Sequence, residues 1–231
     1  MRVTKAAARK PSMPAGVADV VRALEEEIAL GLIGPRARLV EDELMQRFGA
    51  KRHIARQALV DLESMGLVVR EPHRGAAVRD YSAAEIEQLY LVREMVETLG
   101  AGLVPLPASR ELIDELRTIH ERHCAAVAAG DLRRVFRENL LFHRTFFAAC
   151  GNAPLVEVIE NLAMKAHAIR SYSIGNPATL QTVCKEHGAI IKLLKGTNKK
   201  RLVALVGQHI QPAKQAYLQL ARHADRPADG A

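Results

Sequence analysis

Cysteine is scarce in this sequence: the 231 residues hold three, Cys124, Cys150 and Cys184. Their wide, irregular spacing forms neither a zinc knuckle nor a disulfide framework, which points to a reducing compartment. Long apolar runs are missing too. No stretch approaches the roughly twenty consecutive apolar residues that span a bilayer, so no membrane partner is expected. The opening "MRVTKAAARKPSMPAG" has charges but no apolar core of the kind an export signal needs. Together these absences predict a soluble, cytoplasmic chain. No internal repeat is found, and no low-complexity segment beyond two polar tails, a basic one over 1–15 and another over 224–231.

Segregated charge is also lacking. The formal net charge is +7, yet residues 1–80 carry 14 Lys and Arg against 11 Asp and Glu, and residues 81–231 carry 19 against 15. Such a balance favours a polyanionic partner, but only local clustering can say where it binds. What is present in quantity is apolar matter: 48% of residues, ample for one large domain or two modest ones.

The chain changes grammar once. From Val17 to Leu32, apolar residues fall at helical spacing around Glu25, Glu26 and Glu27, and "GLIGPRARL" breaks the pattern. A short helix is predicted near Glu41–Phe48 and closed by Gly49. A second runs from Arg52 to Met65 and is closed by Gly66. Two short β-branched runs, 67–70 and 76–79, flank Pro and Gly as a hairpin would. Residues 16–79 therefore read as a winged helix-turn-helix with a small β-hairpin wing. After a linker at 80–84, residues 85–223 read as an all-α, six-helix antiparallel bundle with spans near 83–104, 109–129, 131–150, 153–173, 178–195 and 198–222. Ser82, Asp131, Asn152 and Thr197 are the expected N-caps, and Gly130, Gly151 and Gly196 mark stops.

In a helix-turn-helix the third helix enters the major groove by its N-terminal end. Here that end offers Lys51, Arg52, His53 and Arg56, while Ala55, Leu59 and Leu62 would face the core. Arginine reads guanine through O6 and N7 together, so Arg52 or Arg56 is the expected base reader. The wing tip, with His73, Arg74 and Gly75, would lie along the backbone or minor groove. A basic stretch on a solvated helix is the plainer reading of these residues, and the basic hairpin beside it argues against that.

The stretch "GLIGPRARLVEDELMQRFGAKRHIARQALVDLESMGLVVREPHRGAAV" resembles the N-terminal domain of the GntR family of bacterial transcription regulators over residues 21–79. It departs from the family pattern at Lys51, where a serine cap is usual, at His53 and Ile54, which replace Thr-Pro, and at Asp42, where a basic residue is common. The resemblance implies a DNA-binding regulator rather than an enzyme.

The helical half carries histidines where apolar residues belong. Asn139 and His143 lie one turn apart on the stripe Leu132, Val135, Phe136, Asn139, Leu140, His143, Phe146, Phe147. His187 sits on the stripe Leu180, Val183, Cys184, His187, Ile191, Leu194, and His209 on Leu202, Leu205, Val206, His209, Ala213, Leu220. A lone inward histidine is usually a satisfied core residue. Burying three is costly without partners, and one divalent cation satisfies all three. Neutral imidazole suits zinc first, with nickel, copper, manganese or iron as alternatives. His120 and His123 read as polar-margin residues, and His167 as lying off its stripe.

The same positions, "NLLFH", "KEH" and "GQH", resemble the FCD ligand-binding domain of the FadR-type branch of these regulators, in its shorter VanR-like variety. The resemblance implies that Asn139, in the aspartate position, with His143, His187 and His209, ligates a metal that serves as a platform for small organic acids. Arg93 falls near an apolar face one turn before Glu97, as an effector-binding residue or as half of an intrahelical ion pair. Arg170 is a second effector candidate. A separate apolar edge, Val92, Met95, Leu99 and Leu103, is a candidate dimer seam. The expected protein is a homodimeric repressor on a short palindromic duplex operator, in which a carboxylate effector shifts the placement of the two heads. A metal-dependent hydrolase and a regulator with a purely structural metal are the rival readings; against the first, these stripes show no clear extra Asp or Glu to act as base.

Overall fold

The structure, a computed structural model, describes residues 15–71, 75–171 and 173–224. Contacts divide the chain into two compact units: Leu32–Asp80 with the chain up to Ile28, and the chain from Tyr81 onward with Ala29–Gly31.

In the first unit α1 (Val17–Ala29) buries Val20, Leu24 and Ile28, as its spacing requires. The sequence places Glu26 and Glu27 on the polar side, yet both are buried, and Arg47 pairs with Glu27. α2 (Glu41–Phe48) ends at Gly49, whose φ of 60° only glycine adopts freely. α3 (Arg52–Ser64) buries Ala55, Ala58, Leu59 and Leu62. The expected hairpin is present as β2 (Val68–Glu71) and β3 (Gly75–Val78). It gains a third strand, β1 (Arg38–Leu39), in the order β1-β3-β2, with every pair antiparallel. Two residues are too few for an alternating signal, which is why β1 reads as a break.

In the second unit the six expected spans are helical, and two of them are interrupted. α4 (Ala83–Leu103), α5 (Arg110–Ala129) and α6 (Leu132–Ala148) are continuous. The fourth span divides at Ala166 into α7 (Ala153–Lys165) and α8 (His167–Arg170); nothing in the local sequence explains that break. α9 (Pro177–Leu194) follows, and the last span divides at Ile210 into α10 (Lys199–His209) and α11 (Gln211–Ala224). Pro212 accounts for the second division, because it cannot donate to the preceding turn but is well placed in a new first turn.

Caps fall largely where expected. Ser82 and Glu85 form a reciprocal capping box, and Asp131 and Asn152 cap α6 and α7. The cap of α10 is Asn198, accepting from Arg201 N at 3.0 Å, rather than its neighbour Thr197.

The core of this unit packs Phe142, Phe146 and Phe147 of α6 against aliphatic residues of α5, α9 and α10. α4 comes close because Gly100 has no side chain: a Cβ there would lie 2.9 Å from Ile159 Cδ1 and 3.1 Å from Phe147 Cδ1. Gly100→Ala would gain about 0.5–1 kcal/mol of helix propensity and lose about 1–3 kcal/mol to overpacking. The expected net effect is a destabilisation on the order of 1 kcal/mol by urea unfolding; an unchanged or raised midpoint would show that Ile159 and Phe147 give way freely.

Candidate functional site

Three helices carry one imidazole each to a common point. α6 presents His143, α9 His187 and α10 His209, and their ligand atoms lie within 4.8 Å of one another. His209 Nε2 and His143 Nε2 are 3.2 Å apart. His187 stacks on Phe142 with centroids 3.9 Å apart and planes 13° from parallel. It is fully buried, and neither of its ring nitrogens has a hydrogen-bond partner among the described residues. His209 Nδ1 donates to Glu186 Oε2 at 2.6 Å, an arrangement that fixes the tautomer and turns the Nε2 lone pair into the cluster.

Burial pushes His143 and His187 well below their usual 6.5, and the neighbouring His209 pushes both further. Both are therefore neutral near pH 7, the form in which imidazole ligates. The donor set fits a transition-metal ion. Nitrogens bound at about 2.0–2.1 Å and tetrahedral angles stand about 3.3 Å apart, close to the His143–His209 separation. The unpartnered nitrogens of His187 would otherwise carry an unrelieved desolvation cost. Asn139, one turn before His143 and partly buried, lines the same cavity.

That cavity holds about 680 Å³, part of it open to solvent, and Arg93, Arg170 and Tyr90 also line it. Arg93 forms the intrahelical ion pair and also reaches the cavity wall. It faces the cavity, and its Nε and Nη2 donate to Glu97 Oε1 at 2.9 and 2.8 Å with both side chains buried. Its guanidinium carbon stands 4.7 Å from the Tyr90 ring centroid. Although burial pulls Arg93 down, the Glu97 charge lifts it above its ordinary value.

Arg170, at the end of α8, is placed differently. Its Nη1 is buried with no hydrogen-bond partner among the described residues. Burial, then the charge of Arg93, lowers it to about 10, so it remains a cation at neutral pH. One paired guanidinium, one lacking an acceptor, and neutral imidazoles make a cavity that favours an anion; a carboxylate matches the guanidinium fork.

In the first unit Lys51, Arg52, His53 and Arg56 are all exposed at the start of α3, with Lys51 in the N-cap position. The two expected base readers are engaged. Arg52 Nη2 donates to Asp42 Oδ1 at 2.8 Å, and Arg56 donates to Glu41 at 3.1 and 3.3 Å. Gly75 is exposed with φ 82°, and Leu39 O lies 3.4 Å from where its Cβ would be. Arg74, with His73, lies outside the described residues. Arg38 and Arg79 share a groove with Gly75; the sequence reading passes over Arg38 because β1 is not visible to it.

The profile of the bacterial regulatory proteins of the gntR family matches residues 17–78, and that of the FCD domain matches residues 88–212, more than half of the chain. The chain is a GntR-family regulator with an FCD domain. This GntR–FCD regulator is 26% identical to the Bacillus subtilis HTH-type regulator YdhC, over 77% of its own length and 80% of the relative's. It is 24% identical to the Escherichia coli HTH-type transcriptional repressor RspR, over 87% and 89%. Among solved structures it resembles Escherichia coli McbR/YncC, with a TM-score of 0.76 at 19% identity over 93% and 100% of the two chains. A GntR regulator from Rhodococcus sp. RHA1 superposes with a TM-score of 0.69 at 21% identity, over 91% and 99%.

Several residues of this GntR–FCD chain lie where the sequence does not put them. His123 and His167, expected at a polar margin and off the stripe, are 0% and 1% exposed. For His123 a signal exists: it continues the α5 stripe Ile113, Leu116, Ile119 and precedes Ala126 at the same spacing. Glu186 supplies the carboxylate that the apolar stripes lack, because a residue beside an inward histidine can still reach a neighbouring helix.

These shifts set a pH dependence. His143 and His187 have folded values well below 6.5, so the unfolded chain takes up protons first as pH falls. Stability is fully present above about pH 6.5 and is lost below it, by roughly 1.4 kcal/mol per pH unit for each histidine. Urea unfolding of chelator-treated protein between about pH 7 and pH 5 should show that slope; a flat profile would mean that the imidazoles are not buried neutral.

Proposed function

We propose that this regulator is a homodimeric, cytoplasmic repressor. A head over residues 16–79, joined through 80–84 to the helical domain over 85–223, would read a short palindromic operator. Its affinity for that operator would be set by a small organic acid held in the helical domain. Asn139, His143, His187 and His209 would hold a divalent ion, zinc first among nickel, manganese, copper and iron. When bound, that ion would supply a Lewis-acidic anchor for one carboxylate oxygen. Arg170 would take the remaining negative charge, and Arg93, oriented by Glu97, would set the position of the acid.

The observation that carries this reading is the buried Arg170 Nη1 without an acceptor, in one cavity with His143 and His209, two of the three converging imidazoles. A hydrolase finds less support, since Glu186 is engaged with His209 and is not free to act as base. The repressor role takes support from the relatives, one of which is described as a transcriptional repressor. The dimer takes support from α4, whose outer edge exposes Val92, Met95, Leu99 and Leu103 at 44–64%.

Metal analysis of the purified chain, paired with thermal shifts against mono- and dicarboxylates, tests the sensor. A divalent ion at the three-imidazole cluster and a carboxylate-dependent shift are expected, and both should be lost in His187→Ala. Arg170→Met should keep the metal and weaken carboxylate binding by about tenfold or more, without destabilising the free protein, because a buried nitrogen that lacks an acceptor is removed. Unchanged carboxylate shifts in Arg170→Met would refute the assignment of the anion site.

The head is tested separately. Arg52→Ala and Arg56→Ala should each weaken operator binding by about 5- to 100-fold, leaving metal content unchanged, while Asp42→Asn should strengthen binding to any duplex. Normal footprints from both arginine variants would displace the reading helix.

A further inference from the structure

The scarce cysteines are less scattered in space than in sequence. Cys124 on α5 and Cys184 on α9 come together with His123, and one ligand atom from each of the three lies within 4.8 Å of the others. His123 Nδ1 stands 3.4 Å from Cys184 Sγ, and His120 Nδ1 stands 3.6 Å from Cys124 Sγ. A sulfur bound at about 2.3 Å and a nitrogen at about 2.0–2.1 Å on one tetrahedral ion are about 3.6 Å apart. The Cys184–His123 pair is already near that spacing.

His123 is fully buried, and its Nε2 has no hydrogen-bond partner among the described residues. Burial lowers its pKa to about 4, so the ring is neutral and has a lone pair to give. The thiols are only partly buried, which leaves an approach for an ion.

We propose that Cys124, Cys184 and His123 form a second metal site, distinct in chemistry from the three-imidazole cluster, that takes a thiophilic zinc-class ion. Two thiolates and one imidazole select a soft or borderline ion of tetrahedral habit over the harder cations that oxygen-rich sites hold. The exchange balances simply: each divalent ion forms bonds to two sulfurs and displaces two protons to solvent. Burial raises Cys184 to about 12, so its thiol holds its proton until an ion replaces it. The two sites adjoin, because the His123 and His187 ring centroids are 5.1 Å apart. The chain would therefore carry a nitrogen-rich centre and, beside it, a sulfur-rich centre, with His143 and His209 of the first and His123 of the second lining one cavity.

The site is tested with cobalt(II) as probe on the reduced, chelator-treated full chain. The expected result is two ions per chain, one of them giving thiolate-to-cobalt charge-transfer absorption in the near ultraviolet. Cys124→Ser/Cys184→Ser should bind one ion without that absorption, and His187→Ala should keep it. Absence of the band in wild-type protein at saturating cobalt overturns the proposal, as does its survival in the double serine variant. A second measurement needs no variant: zinc should slow alkylation of Cys124 and Cys184 in the wild type, read peptide by peptide. Equal alkylation with and without zinc overturns the site. Because the band reports only sulfur, the outcome is separable from success or failure of the three-imidazole reading.

Discussion

Taking a charge or a hydrogen-bonding nitrogen out of water is costly, and the helical unit does so repeatedly without closing the account internally. Arg93 is covered by Glu97 and Tyr90, and His209 by Glu186. Arg170 Nη1 and both nitrogens of His187 are left with nothing in the described chain. A buried guanidinium nitrogen without an acceptor is poorly tolerated in a protein interior, where removing one partner of a buried ion pair costs about 3–5 kcal/mol. A fold that gathers such groups in one region is stabilised by whatever satisfies them, since a ligand that binds only the folded state adds its binding free energy to stability. The pattern of satisfied and unsatisfied groups thus separates scaffold from site: the satisfied ones orient, and the unsatisfied ones wait on something outside the chain.

α4 links that cavity to the exterior of its unit. Its inward side holds Tyr90, Arg93 and Glu97, and its outer edge exposes Met95 at 64% and Leu99 at 55%. Between them Gly100 and Ala101 let the helix pack closely on Phe147 and Ile159. A helix gripped this tightly moves as a body rather than bending, because close-packed interiors shift between discrete arrangements. Under the proposed reading, an acid held at Arg93 and a second subunit seated on Met95 act on one rigid element. The differential contact that an effector needs in order to shift a conformational equilibrium would then lie within one turn of the subunit interface.

Much of this architecture was legible in the residues. The helix-turn-helix, the wing, the glycine stops and the inward placing of His143, His187 and His209 all follow from periodicity and punctuation. What escaped were features that depend on partners in other elements. β1 is two residues long and exists only because β3 lies beside it. Glu26 and Glu27 read as solvated, yet they are buried, and a basic partner for Glu27 comes from α2, twenty positions along the chain. Cys124 and Cys184 read as unrelated because sixty residues separate them, although α5 and α9 pack side by side. His123 was legible in principle, as a continuation of the Ile113–Leu116–Ile119 stripe, but Glu121 and Arg122 immediately before it make the segment look like an edge. Spacing reports which way a side chain points; it does not report what stands opposite.

The head shows the same logic on an exposed surface. Arg52 and Arg56 are held by Asp42 and Glu41 in the first turn of α2, where acidic residues are favoured by the exposed N–H groups of the helix. Exposed ion pairs of this kind add little to folding, typically under about 1 kcal/mol each. Their consequence lies in binding. Under the proposed reading, a guanidinium that must leave a carboxylate before it meets DNA would gain less from a phosphate, and the two acidic groups would repel any duplex in proportion to its charge. A bidentate fit to guanine replaces both lost hydrogen bonds, whereas a single phosphate contact need not. Under the proposed reading the acidic turn would lower affinity for all DNA while lowering it least for a duplex that offers the right base edges, and specificity is a difference of affinities rather than their size.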